Sequence, residues 1–158
     1  MNQVPLAYGP APRGRFAYGE QHFRVDLGDG GEGSAAGFSE VVLPDISIDV
    51  IEYRNGNDKE SGTHKLPGLA RYENVIFRRG IIGSLNLYDW INQVRNGDAN
   101  ARRTVTITLL SEDLSAVVLT WKLLRAWPAK YSFGDLNAKG TDVAIEELVL
   151  AYERLEME

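Results

Sequence analysis

The segment Arg103–Leu110 constrains the fold more tightly than any other part of the chain. Val105, Ile107 and Leu109 alternate with Thr104, Thr106 and Thr108. Successive side chains of a strand point to opposite faces, so this stretch buries an apolar face only as part of a sheet. Threonines on the other face suit a sheet with one side in a core and one side wetted. A helix would scatter the same residues around its circumference.

The same period recurs. Phe23-Arg24-Val25-Asp26-Leu27 alternates, and Ile46-Ser47-Ile48-Asp49-Val50 alternates again and continues to Tyr53. Gly28 to Gly33 supply a turn, and residues 36–42 are expected to return as a strand beside the first. Residues 72–79 hold Val75, Ile76 and Phe77 and read as a strand. Residues 117–123 read as another, after a short Glu-Asp turn. Residues 84–95 are the one clear helix: Leu87, Tyr88, Ile91 and Val94 share a face with Trp90 beside them, and Gly97 follows as a stop signal. Residues 142–156 are ambiguous, because Ala, Glu and Leu favour a helix while Val143, Ile145 and Val149 keep some alternation. The sum is a mainly β domain of about seven strands with one helix, a barrel or a sandwich.

Residues 1–19 contain Pro5, Pro10, Pro12, Gly9, Gly14 and Gly19 and are expected to form an extended arm. Tyr8, Phe16 and Tyr18 within it suit burial against another subunit, or fray with the rest of the arm. Residues 20–158 are expected to form a single domain. Residues 54–64 carry no apolar side chain, too many for a tight turn and too polar to bury.

Composition excludes several function classes. In 158 residues there are no cysteines, which removes disulfides, thiolate nucleophiles and cysteine-ligated metals together. A net charge of −5 disfavours nonspecific binding to nucleic acid or anionic membranes. No segment approaches the roughly 18 consecutive apolar residues of a membrane span. Val4-Pro5-Leu6-Ala7 is too short and broken for a signal sequence, so export by one is not expected.

Chemistry-bearing motifs are sparse. Gly28-Asp29-Gly30-Gly31-Glu32-Gly33 formally matches a dinucleotide fingerprint. No helix follows it to receive a pyrophosphate, and Asp29 and Glu32 would repel one. His22 and His64 are the only histidines, and neither has a partner at ligand spacing. No nucleophile elbow is present. Asp45 and Asp49, on one strand face, lie roughly 13 Å apart by strand rise, wide even for an inverting carboxylate pair. Arg78-Arg79 and Arg102-Arg103 flank strand ends, where ion pairs within or between subunits are expected rather than phosphate contacts.

Several blocks together resemble one family, the tail-tube proteins of contractile phages and phage-derived injection particles. They are Phe23-Arg24-Val25, Gly37-Phe38-Ser39-Glu40-Val41, Ile51-Glu52-Tyr53-Arg54-Asn55-Gly56, Lys65-Leu66-Pro67-Gly68 and Asn74-Val75-Ile76-Phe77-Arg78-Arg79-Gly80. Then come Trp90 on the helix, Trp121, Ala126-Trp127-Pro128-Ala129-Lys130 and Ala144-Ile145-Glu146-Glu147-Leu148-Val149-Leu150. Val42-Leu43-Pro44, where many members have Gly-Leu, and Tyr152-Glu153-Arg154, where His-Glu-Gly is commoner, are departures that bear on the subfamily.

The resemblance implies a tail-tube β-barrel of two packed sheets with one helix, related to the secreted ring proteins of type VI secretion. It makes residues 142–152 a strand. It further implies a structural subunit with no catalytic, metal or cofactor site. Copies would close into homohexameric rings and stack into a tube inside a sheath. The partners implied are baseplate and tube-capping proteins and a cargo effector or DNA in the lumen, with no membrane insertion. Assembly would be cytoplasmic, followed by residence in a virion or a released phage tail-like particle. Ser47, Asp49, Thr104, Thr106 and Thr108 are expected to face the lumen. Arg54, Asp58, Lys59 and Glu60, in a polar loop read as reaching Gly68, are expected to mediate ring stacking. Leu87, Trp90 and Ile91 are the expected helix contribution to the core. A type VI ring protein, a tube–baseplate adaptor and a monomeric ligand-binding barrel are the alternatives.

Overall fold

A computed structural model describes residues 22–30, 37–57, 59 and 62–158. Nine strands and one helix follow in the order β1 (His22–Asp26), β2 (Glu40–Val42), β3 (Ile46–Tyr53), β4 (His64–Tyr72), β5 (Val75–Gly80), α1 (Asn86–Arg95), β6 (Arg103–Leu110), β7 (Val117–Phe133), β8 (Ile145–Ala151) and β9 (Arg154–Met157). All pairing is antiparallel.

The organising element is β7, 17 residues long. Its first half pairs with β6 and β9, and β6 pairs with β1. Its second half pairs with β8, which leads to β5 and then β2. The two halves meet at Arg125, whose φ of 55° is left-handed. A left-handed residue turns a strand out of its plane, and here it passes one strand from the first sheet to the second.

The core lies between these sheets. Val25, Val105, Ile107 and Leu123 come from the first, and Phe77, Leu148 and Leu150 from the second. Leu87 and Trp90 of α1 close the layer against β7. Each such side chain contributes roughly 1.5–3 kcal/mol on full burial. The Trp90 indole donates to the Ala101 carbonyl at 2.6 Å, and the Arg103 guanidinium stacks on its ring at 4.6 Å. Gly28 permits a close approach: a Cβ there would lie 2.5 Å from the Thr104 carbonyl oxygen, and its φ is 71°.

Several sequence expectations change. The expected barrel is two open sheets: β1 and β2 remain free edges among the described residues. Of the segment expected to return as a strand at 36–42, Glu40–Val42 is a strand among the described residues, and it pairs with β5 and not with β1. The polar loop ends by His64, and Lys65 to Gly68 belong to β4. The C-terminal segment, ambiguous from propensity, is two strands with a corner at Tyr152 and Glu153. The arm at 1–19 lies outside the described residues.

Candidate assembly surface

β3 and β4 pair with each other and with no other strand among the described residues. An isolated two-stranded ribbon is at best marginally stable in water. This one also exposes apolar side chains: Val50 is 63% exposed, Leu69 75%, and Ile46, Ile48, Ile51 and Leu66 about half, 48–57%. Apolar side chains exposed to this extent on an unsupported ribbon mark an interaction site.

The apolar residues change sides along the ribbon. Near its root, Ile46, Ile48 and Val50 alternate onto one face, while Ser47 and Asp49 occupy the other. Beyond Val50 the pattern shifts by one, so Ile51 and Tyr53 lie on the face of Ser47 and Asp49. Ile51 pairs with Leu66, and Tyr53 pairs with His64, their rings stacked at 5.2 Å. The register slips between Ile48 and Val50, where Gly68 crosses Asp49. A Cβ on Gly68 would stand 3.1 Å from the Asp49 carbonyl oxygen.

Asp49 is half-buried and paired: the Arg71 side chain donates to both carboxylate oxygens, at 2.9 and 3.0 Å. That hydrogen bond holds its pKa below the usual carboxylate value. The pairing is intact at neutral pH and is lost as the pH falls through that lowered value. Asp49 is therefore a neutralised acid, which sequence could not show.

A second apolar surface lies at the far end of the second sheet. The ribbon's root joins β5 at Val75, where Tyr152 donates to the Glu73 carbonyl at 2.8 Å. At the other end of β5, Gly80 pairs with Ile145, and Ile81 donates to the Ala144 carbonyl. Ile81, Ile82, Phe133, Val143 and Ile145 are exposed there, with Leu136 86% exposed in the loop between β7 and β8.

The outward face of the first sheet is polar. Arg24 and Asp26 of β1 pair with Thr108 and Thr106 of β6, which pair with Thr120 and Lys122 of β7. Lys122 pairs with Glu156 of β9 and donates to Glu158 at 2.7 Å. Thr104 is exposed near the same end of β6. The expected lumen residues thus fall in two places within one subunit: the three threonines on this sheet, and Ser47 with Asp49 on the ribbon.

Arg54 and Lys59 are exposed at the ribbon's turn, while Asp58 and Glu60 lie outside the described residues. Leu87 and Trp90 are fully buried and Ile91 half-buried. Arg78 bridges Glu40 at 3.0 Å and Glu147 at 2.8 Å, and Arg102 bridges Glu153 at 2.5 Å. Sequence reasoning missed the end surface of Ile81, Phe133 and Leu136. Isolated exposed apolar residues in loops carry no period, and only their spatial gathering reveals them.

No group of three or more metal-ligating side chains occurs among the described residues. A cleft of about 270 Å³ opens beside the edge strands β1 and β2, lined by Phe23, Val41, Leu43, Ile107, Leu109 and Trp121, with the polar Ser39 and Glu40 both already bonded to Arg78. Ligand pockets begin at about 300 Å³ and converge polar groups on their contents. The molecule's most developed surfaces are those suited to joining copies, the mark of a subunit built for assembly.

Comparison with known proteins agrees. Residues 19–156 match the family of the T4-like virus tail tube protein gp19, and the chain belongs to that family. It is a structural tube subunit and not an enzyme. A chain in the extended sheath–tube complex of the PVC extracellular contractile injection system is 30% identical, with a TM-score of 0.73, covering 86% of this chain and 87% of that one. A chain in the PVC sheath/tube terminator is 28% identical, with a TM-score of 0.78, covering 91% and 98%. A type six secretion system protein, 12% identical with a TM-score of 0.51, covers 87% and 81% and shares the fold alone. No curated protein matches.

Proposed function

We propose that this chain forms homohexameric rings that stack into the inner tube of a contractile phage tail-like injection particle. The exposed apolar β3–β4 ribbon carries the reading, because a lone subunit leaves it without a layer to pack on. Ring closure needs one patch to meet a different patch on the neighbour. Free strand edges supply such contacts: β1 and the ribbon's outer edges offer unpaired backbone groups that a neighbour's strand satisfies.

This lateral joining also reunites the lumen residues. Ser47 and Asp49 come into one wall with Thr104, Thr106 and Thr108 when the ribbon of one subunit lies beside the first sheet of the next. The wall is then lined by hydroxyls and by charges that balance and are largely paired, Asp26, Glu156 and Glu158 against Arg24, Lys122 and Arg154. A polar lining without excess positive charge lets DNA or an acidic effector slide without adhering. Sheath, baseplate and capping proteins would surround and end the tube. Assembly would take place in the cytoplasm, before the tube becomes part of a virion or a released particle.

Negative-stain microscopy of the purified full-length chain, alone and with sheath and baseplate components, tests this. Hollow rings or rods are expected, with six-fold symmetry in end views. A protein that stays monomeric in every mixture would end the proposal. Thr108→Arg should leave assembly intact and impair cargo loading, and unchanged loading would remove that residue from the lumen.

A further inference from the structure

The strand order that begins at β1 and ends at β2 does not close on itself. Its two ends flank the cleft of about 270 Å³, where the inner faces of both sheets run out without cover. Phe23, Val41, Leu109 and Trp121 are only half-buried there, and Leu43 is 42% exposed. Covering such a surface is favourable in proportion to the apolar area removed from water.

The chain carries an apolar segment tethered at the rim of this cleft. Residues 1–21, outside the described part of the chain, join β1 at His22, next to Phe23 of the cleft wall. Phe16 and Tyr18 stand six and four residues before His22, at most about 21 and 14 Å along an extended chain. Two positions apart, they point the same way in an extended segment, with Ala17 opposite. Gly19 follows, the residue type that most readily lets a chain reverse. Charge agrees. Beside the cleft, Arg78 is shared between the carboxylates of Glu40 and Glu147, a local net −1. Residues 13–21 carry Arg13 and Arg15 against Glu20, a net +1.

We propose that Phe16 and Tyr18 of the chain's own N-terminal segment insert into this cleft and strap β1 to β2, completing the core on its open side. Attachment at His22 favours the chain's own segment over that of another copy, because a short tether holds it at the cleft at an effective concentration on the order of millimolar. The two aromatic rings supply the adhesion and the arginines bias the register. The contact is made by side chains and leaves the backbone edge of β1 to a neighbouring subunit. It therefore stands whether or not the chain builds a tube.

The absence of cysteine makes the test clean. In the full-length chain, Leu43→Cys is combined with Phe16→Cys, and separately with Tyr18→Cys and with Ala17→Cys, then oxidised and resolved without reductant. A link within one chain is expected from the Phe16→Cys or the Tyr18→Cys pair, forming at least tenfold faster than from the Ala17→Cys pair. Equal rates at all three positions would mean that the segment is tethered near the cleft without docking, and would overturn the proposal. Links between chains would give the cleft to another copy's segment and overturn it too, as would no link from either aromatic position. Independently, Phe16→Ser with Tyr18→Ser alters nothing inside the two sheets. Amides of residues 22–26 and 40–43 should then exchange with deuterium at least tenfold faster than in the wild type, and Phe16→Leu with Tyr18→Leu should restore most of the protection. Exchange unchanged by the serine pair would reject the strap.

Discussion

Arg79 and Glu146 are charged residues in the middle of an apolar layer, 1% and 3% exposed. They pair across β5 and β8. The Tyr131 hydroxyl also donates to Glu146, and Arg79 donates to Asn86 at 2.7 Å and lies over the Phe38 ring. The network ties the start of α1 to the second sheet. Removing one member of a buried pair leaves an unpaired charge, which costs about 3–5 kcal/mol. Glu146→Leu should therefore lower unfolding stability by that amount. Arg79→Met with Glu146→Leu should recover most of it, as read by urea denaturation. Burial, and then the bond to Glu146, push the Tyr131 hydroxyl up to about 12. Its contribution is complete below pH 10 and is lost as the pH rises through about 12, so Tyr131→Phe should flatten the alkaline limb of the stability curve. Arg78-Arg79 was legible as an ion-pairing dipeptide. That one arginine would be buried was not, because its partner lies 67 residues away.

At the scale of elements, legibility followed alternation. β6 and β3 were read to their ends because both alternate, although only β6 buries one face. β4 was missed because Pro67 and Gly68 look like a turn and its apolar residues Leu66 and Leu69 are exposed and outside the chain's own core. Gly68 is there for a close backbone crossing, which a single sequence cannot distinguish from flexibility. The strand expected at residues 117–123 runs on to Phe133. Arg125 redirects the strand, and Pro128 sits beside a register shift where its missing N–H is tolerated. A β-branched side chain in a left-handed conformation costs at least roughly 1–2 kcal/mol. Arg125→Val should destabilise by that amount and Arg125→Gly by clearly less, measured by thermal unfolding. Equal losses would assign the effect to the guanidinium, which lies 2.9 Å from Glu153.

For the whole molecule, the sequence announced a β protein with one helix, and resemblance to a family supplied its purpose. The assembly surfaces escaped notice because exposed apolar residues read as core when only sequence is seen. They separate in stability as well. The layer between the sheets holds the interior residues, whereas the ribbon has no support within the subunit. Amides of β3 and β4 should exchange with solvent within seconds to minutes in dissociated subunits, while those of β6 and β8 persist far longer. Assembly should slow ribbon exchange at least a hundredfold. Equal protection in both states, measured by hydrogen–deuterium exchange with mass spectrometry, would show that the ribbon needs no partner.

A single strand that serves both sheets removes any seam along which the interior could part. Peeling β7 from either half strips the edge that the other half depends on, so opening of the two-sheet interior offers no resting place between intact and fully unravelled. Under load, such a tube gives way at the joints between its building blocks first.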